Sequence, residues 1–232
     1  MINQPSIGTS QLPTKLRAIV GAILILLCVS QPAHAGDTSP KVVCFGDSIT
    51  KRGYPEELGK ILGVTVVNAG IPGNTTADGL KRLQTDVLDQ KPSVVIVLFG
   101  TNDSRLDAAK VHVPVAQYIS NLKQMITRCE AIHARVVLCT IPPIEPEPYF
   151  KRHKKQAFDA AGGLASVLTD YRAAVLRIGA EHKLPVVDLN AQLSSEPSWL
   201  SADGVHPSPV GHTLIAKLIA EKTAPLIAQR RP

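Results

Sequence analysis

Aromatic side chains are scarce in this chain, with one Trp, four Tyr and four Phe among 232 residues. No platform for stacking sugar rings is evident from so few. Cysteine is sparse too: there are four, none in CxxC or CxH spacing, and no two histidines form an HExxH pair. These absences leave no metal site to predict. No Gly-rich phosphate loop follows the first strand-like run, where Gly46-Asp47-Ser48 puts a carboxylate at the place a phosphate would sit. Apolar runs are short. The longest, Ala18 to Val29, has about twelve residues, and a membrane span needs about twenty. Internal repeats are absent. The formal charge of +6 is mild and does not argue for nucleic acid.

The first forty residues carry a targeting pattern. Lys15 and Arg17 precede the apolar run, and Ala33-His34-Ala35 places small residues where a signal peptidase reads them. This predicts a secretory signal peptide over residues 1–35, cleaved after Ala35, with export to the periplasm or medium and no stable membrane insertion afterwards. Leu26-Leu27-Cys28 carries the cysteine of a lipoprotein signal, but Leu27 stands where a small residue is wanted. Cleavage would lower the charge from +6 to +4, because it removes Lys15 and Arg17 and no acid. Three cysteines would remain: Cys44, Cys129 and Cys139. All lie in apolar patterns, which predicts buried free thiols. The basic run Lys151-Arg152-His153-Lys154-Lys155 predicts a solvated patch.

What is present is a regular alternation. Five Val- and Ile-rich runs read as strands: Val42–Phe45, Val64–Val67, Val94–Phe99, Val136–Thr140 and Pro185–Leu189. They are continuous and do not alternate, as in strands buried on both faces of a parallel sheet. Helical spacing falls between and after them, over Tyr54–Leu62, Thr76–Leu88, Pro114–Ala131, Val167–Ala180 and Pro209–Lys222. The pattern predicts one domain over 36–232, a three-layer α/β/α sandwich around a five-stranded parallel sheet. Residues 142–163 open with PPIEPEPYF, too proline-rich for a helix at the start. From about residue 223 the chain reads as a tail.

Strand ends carry the chemistry. Gly46-Asp47-Ser48 follows the first, Asn68 to Thr75 with Gly70 and Gly73 the second, Gly100-Thr101-Asn102-Asp103 the third, and Asp203-Gly204-Val205-His206 comes after the fifth. In a parallel sheet these ends share one edge. A serine hydroxyl needs a base to become a nucleophile, and His206 can serve. Asp203, three residues earlier, can orient the ring and stabilise its charged form. The N–H groups of Ser48 and Gly73 and the amide of Asn102 can donate to an oxyanion. Asn102 can equally close a turn. His212 is a rival base without a carboxylate three residues before it.

These four blocks, FGDSIT, NAGIPGNTT, GTND and DGVHP, resemble those of the SGNH hydrolases, also called the GDSL esterase/lipase family. The resemblance spans roughly Lys41 to Leu226. It implies a flavodoxin-like sandwich and ester hydrolysis without metal or other cofactor. It implies Ser48 as nucleophile, Asp203 and His206 as orienter and base, and Gly73 and Asn102 as oxyanion donors. Ile49 stands where the family name has Leu. The α/β-hydrolase elbow differs, since it needs glycine at the place of Thr50.

Three readings of function stay open on the sequence. The first is an exported esterase acting on acetyl or other short-chain esters, small or carbohydrate-borne. The second is a thioesterase or lysophospholipase using the same residues on a lipid ester. The third is a binding module that kept the fold without its chemistry. Oligomeric state is not legible.

Overall fold

The structure is a computed structural model that describes Met1 and residues 39–228. The expected signal peptide lies outside the described residues.

Five strands form one sheet: β1 (Lys41–Gly46), β2 (Thr65–Gly70), β3 (Val94–Leu98), β4 (Arg135–Cys139) and β5 (Val186–Val187). Their order is β2-β1-β3-β4-β5, and every pairing is parallel. This is the flavodoxin-like order, in which the chain reverses its direction of travel between β1 and β3. Successive side chains point to opposite faces of a strand. Val43 and Phe45 accordingly enter one core and Val42 and Cys44 the other, and all four are fully buried. Both faces of β1 and β3 being covered, those strands are apolar without alternation.

Nine α-helices follow in order: α1 (Ser48–Lys51), α2 (Tyr54–Leu62), α3 (Thr76–Asp86), α4 (Val115–Glu130), α5 (Pro146–Phe150), α6 (Lys155–Asp159), α7 (Leu164–His182), α8 (Leu189–Leu193) and α9 (Pro209–Ala228) among the described residues. Side chains of α3, α4 and α7 fill the core on the Phe45 face. Those of α2, α8 and α9 fill the core on the Cys44 face, with Trp199 between them. Cys44, Cys129 and Cys139 are free and buried, as expected.

Three boundaries correct the sequence reading. The fifth strand is two residues long, because Asp188 turns the chain into α8 by accepting Ala191 N–H. Residues 142–163 contain α5 and α6. Pro146 and Pro148 fall in the first turn of α5, where missing N–H groups cost no helical bond. The predicted tail is helical to Ala228, because Thr223 is buried and Leu226 and Ile227 pack on the core. Among the described residues no helix is long and apolar enough to cross a membrane.

Candidate active site

Ser48 owes its position to an abrupt change from strand to helix. β1 ends at Gly46, where a Cβ would lie 2.2 Å from Thr50 Oγ1 and 2.3 Å from the Leu98 carbonyl oxygen. Only glycine lets the chain turn this close to β3. Asp47 then caps α1, accepting the Ile49 N–H at 2.9 Å on Oδ1. Ser48 is the first helical residue. Its main-chain oxygen accepts Arg52 N–H at 3.2 Å, and its side chain is left partly exposed at the carboxyl end of the sheet.

A tight turn prepares the second group. Oδ1 of Asp203 accepts three hydrogen bonds, each 2.9 Å, from Ser201 Oγ and from the N–H groups of Val205 and His206. Oδ2 faces His206 Nδ1 at 2.5 Å. Burial would raise the carboxyl, but the His206 N–H and ring, with Val205 and Ser201, outweigh it and hold Asp203 well below the usual carboxylate range. Asp203 is therefore ionised and can only accept. In the neutral ring this places the proton on Nδ1, toward Asp203, and leaves Nε2 as an acceptor. Ser48 Oγ lies 2.8 Å from that Nε2. The arrangement can move the serine proton to the ring while Asp203 balances the charge that forms there. His212 has no such connections: its Nδ1 is buried without a hydrogen-bond partner, and burial lowers its pKa.

Asn102 leaves the end of β3 and turns back toward β1. Its Nδ2 donates to the Asn74 carbonyl at 3.0 Å and faces Asp47 Oδ2 at 3.4 Å. Its main chain does close a turn as well, accepting Arg105 N–H at 3.1 Å. Gly73 precedes Asn74 with φ +79°, a left-handed conformation that favours glycine, and no atom lies within 4 Å of where its Cβ would be. His206 thus contacts both Ser48 and Asp203, and Asn102 joins the serine block through Asp47 and the glycine block through Asn74.

Sequence reasoning missed the groups behind these. Asp47 is fully buried, and burial, helped by the nearby Asp103 charge, pushes its pKa up to about 7. Asp103, also pushed up by burial, to about 6, accepts Thr76 N–H at 2.9 Å and makes a short bond to the Thr76 hydroxyl. Asn121 donates to that hydroxyl at 3.0 Å. Arg152 Nη2 donates to the Asp203 carbonyl at 2.8 Å, and Glu145 N–H donates to the Gly204 carbonyl at 2.9 Å. The one local signal for any of these is the pair of acids, one before Ser48 and one after Asn102. Spacing alone does not reveal that they are buried.

A family model of GDSL-like lipases and acylhydrolases matches residues 44–214. An arylesterase of Vibrio mimicus is 28% identical over 214 residues, covering 87% of this chain and 95% of that enzyme. An acetylxylan esterase of Geobacillus stearothermophilus is 29% identical over 174 residues, covering 71% of this chain and 72% of that enzyme. The crystal structure of a lipase/acylhydrolase from Enterococcus faecalis superposes with a TM-score of 0.70 at 30% identity, over 83% of this chain and 100% of that one. The chain is a carboxylic ester hydrolase and belongs to the GDSL-like lipase/acylhydrolase family.

Proposed function

We propose that this esterase hydrolyses acetyl or other short-chain esters through an acyl-enzyme on Ser48. The observation that carries the reading is the unbroken path from Ser48 Oγ to His206 Nε2, 2.8 Å, and from His206 Nδ1 to Asp203 Oδ2, 2.5 Å. Ser48 Oγ attacks the ester carbonyl carbon as its proton passes to His206 Nε2. The C=O pair becomes an oxyanion, held by the N–H groups of Ser48 and Gly73 and by the Asn102 amide. Collapse breaks the bond to the alcohol oxygen, which takes the proton from His206 and leaves. Water then attacks the acyl-enzyme with His206 again as base, releasing the acid and restoring Ser48. No step needs a cofactor.

Similarity to an acetylxylan esterase supports a small acyl group. The targeting pattern of residues 1–35 supports export, and the terminal sequence of the mature secreted protein tests it. The test of mechanism is covalent labelling by a fluorophosphonate, with the modified residue located by mass spectrometry. Label on Ser48, absent in Ser48→Ala, is the expected result. Label elsewhere, or ester turnover by Ser48→Ala, would overturn the mechanism. A panel of p-nitrophenyl esters from acetyl to octanoyl should show the highest kcat/KM at the short end. A maximum at octanoyl, or faster turnover of acyl thioesters, would replace the substrate class with a thioesterase or lysophospholipase one.

A further inference from the structure

Arg82 stands on α3 with its side chain turned inward, 13% exposed. All three nitrogens of its guanidinium donate. Nε donates to Asn74 Oδ1 at 2.7 Å. Nη1 donates to the Ala69 carbonyl and to Asp86 Oδ2, and Nη2 to the Gly46 carbonyl, all at 2.8 Å. The Phe45 ring lies beneath it, 4.5 Å from Cζ to the centroid. Three of these contacts belong to the edge where the chemistry sits. Gly46 immediately precedes Asp47 and Ser48. Ala69 lies at the end of β2. Asn74 follows Gly73, and its carbonyl accepts the Asn102 amide at 3.0 Å.

We propose that Arg82 is a positioning residue, which acts on the reaction by holding Asn74 and, through the Asn74 carbonyl, the amide of Asn102. The inference rests on the reading of Asn102 as an oxyanion donor. Asn102 Nδ2 carries two hydrogens. The Asn74 carbonyl takes one at 3.0 Å, and the other faces Asp47 across a longer 3.4 Å gap. With Asn74 in place, the second hydrogen makes only this long bond, which an oxyanion can replace. If Asn74 moves, the amide can turn wholly toward Asp47. Asn74 sits on a glycine turn with φ +79° at residue 73, closed by its N–H donating to the Ile71 carbonyl at 3.2 Å. The planar guanidinium adds a second constraint, on the Asn74 side chain. It binds the turn and the ends of β1 and β2 at once, in fixed directions. A lysine has the charge but not the fork. Asp86 and the Phe45 face make the buried charge tolerable.

The test is a double-mutant cycle on the full chain, with kcat and KM measured on p-nitrophenyl acetate below the melting temperature of every variant. Arg82→Lys should lower kcat about tenfold or more, since small misplacement of a catalytic donor is costly, and leave KM within about twofold. In an Asn102→Ala background the same change should cost less than about threefold, because the donor that Arg82 holds is gone. Asn74→Ala, which deletes the link and keeps the carbonyl, should repeat the pattern more weakly, and it carries the cycle if Arg82→Lys does not fold. Equal losses with and without Asn102 would overturn the inference and leave Ser48 chemistry standing. So would a loss confined to KM or to melting temperature. An Asn102→Ala variant with native kcat would overturn the oxyanion reading and this inference together.

Discussion

The guanidinium of Arg152 donates to the main-chain oxygen of Asp203 at 2.8 Å, and Nη2 stands 4.0 Å from the Asp203 carboxylate. This contact joins the proline-rich segment 142–163 to the turn that carries His206. Two others reinforce it. Glu145 N–H donates to the Gly204 carbonyl at 2.9 Å, and a Cβ on Gly204 would lie 2.5 Å from Pro148. A long connection at a catalytic edge suggests a pocket wall. These bonds give it a second task, bracing the Asp203–His206 turn.

Arg152→Ala should therefore lower kcat/KM for acetyl, butyryl and octanoyl esters by a common factor, about two- to tenfold. That is the size expected from one half-exposed hydrogen bond. The panel of p-nitrophenyl esters checks it. Ratios between esters that change by more than the common factor would assign the segment to selectivity instead.

Asp203→Asn should retain the fold and lose about 10³–10⁴ in kcat, because an amide cannot stabilise the imidazolium and can favour the wrong tautomer. Ser48→Ala and His206→Ala should each remove turnover altogether. Thermal melts establish that the variants are folded, and single-turnover assays measure what remains. A kcat within tenfold of the parent for Asp203→Asn would remove it from the catalytic path.

Stability should fall as pH rises from about 4 to about 7. Asp47 and Asp103 have folded-state values of about 7 and about 6, against an ordinary 3.8. Both groups hold a proton more readily in the folded chain than in the unfolded one. Their contribution is complete below 3.8 and is lost as pH climbs through the folded values. Asp203 has the opposite sign, but its lowered value confines that effect to pH below 3.8. His212, lowered by burial from 6.5, opposes the trend just below that value. Asp47→Asn removes the carboxyl with the higher folded-state value, and asparagine can still cap α1. Melting temperatures from pH 4 to 7 should decline less steeply for this variant than for the parent. Parallel curves would refute the protonation of Asp47.

Alkylation by iodoacetamide at pH 8 should be slow and should not track loss of activity. Burial pushes Cys129 up to about 12 and the thiols of Cys44 and Cys139 higher still, so almost no thiolate forms. Mass spectrometry of the intact protein against residual activity gives the comparison. Rapid modification of one thiol in the native protein would show that the core around it opens.

Local chemistry made much of this protein legible from its residues. The runs of Val and Ile, and the three–four spacing between them, specified strands and helices because side-chain periodicity depends only on near neighbours. Parallel strands then had to present their carboxyl ends together, which put Ser48 and Asn102 on one edge by topology alone, whereas α8 separates His206 from β5. The Asp203–His206 pair, three residues apart, was within reach of the same logic. Long-range packing settled the rest. The sheet order and the 2.8 Å contact between Ser48 and His206, 158 residues apart, depend on how whole layers close on each other. Burial is likewise a property of the assembled layers. It raises Asp47, turns Arg82 inward and keeps α9 helical past residue 223, and no neighbour in sequence announces it.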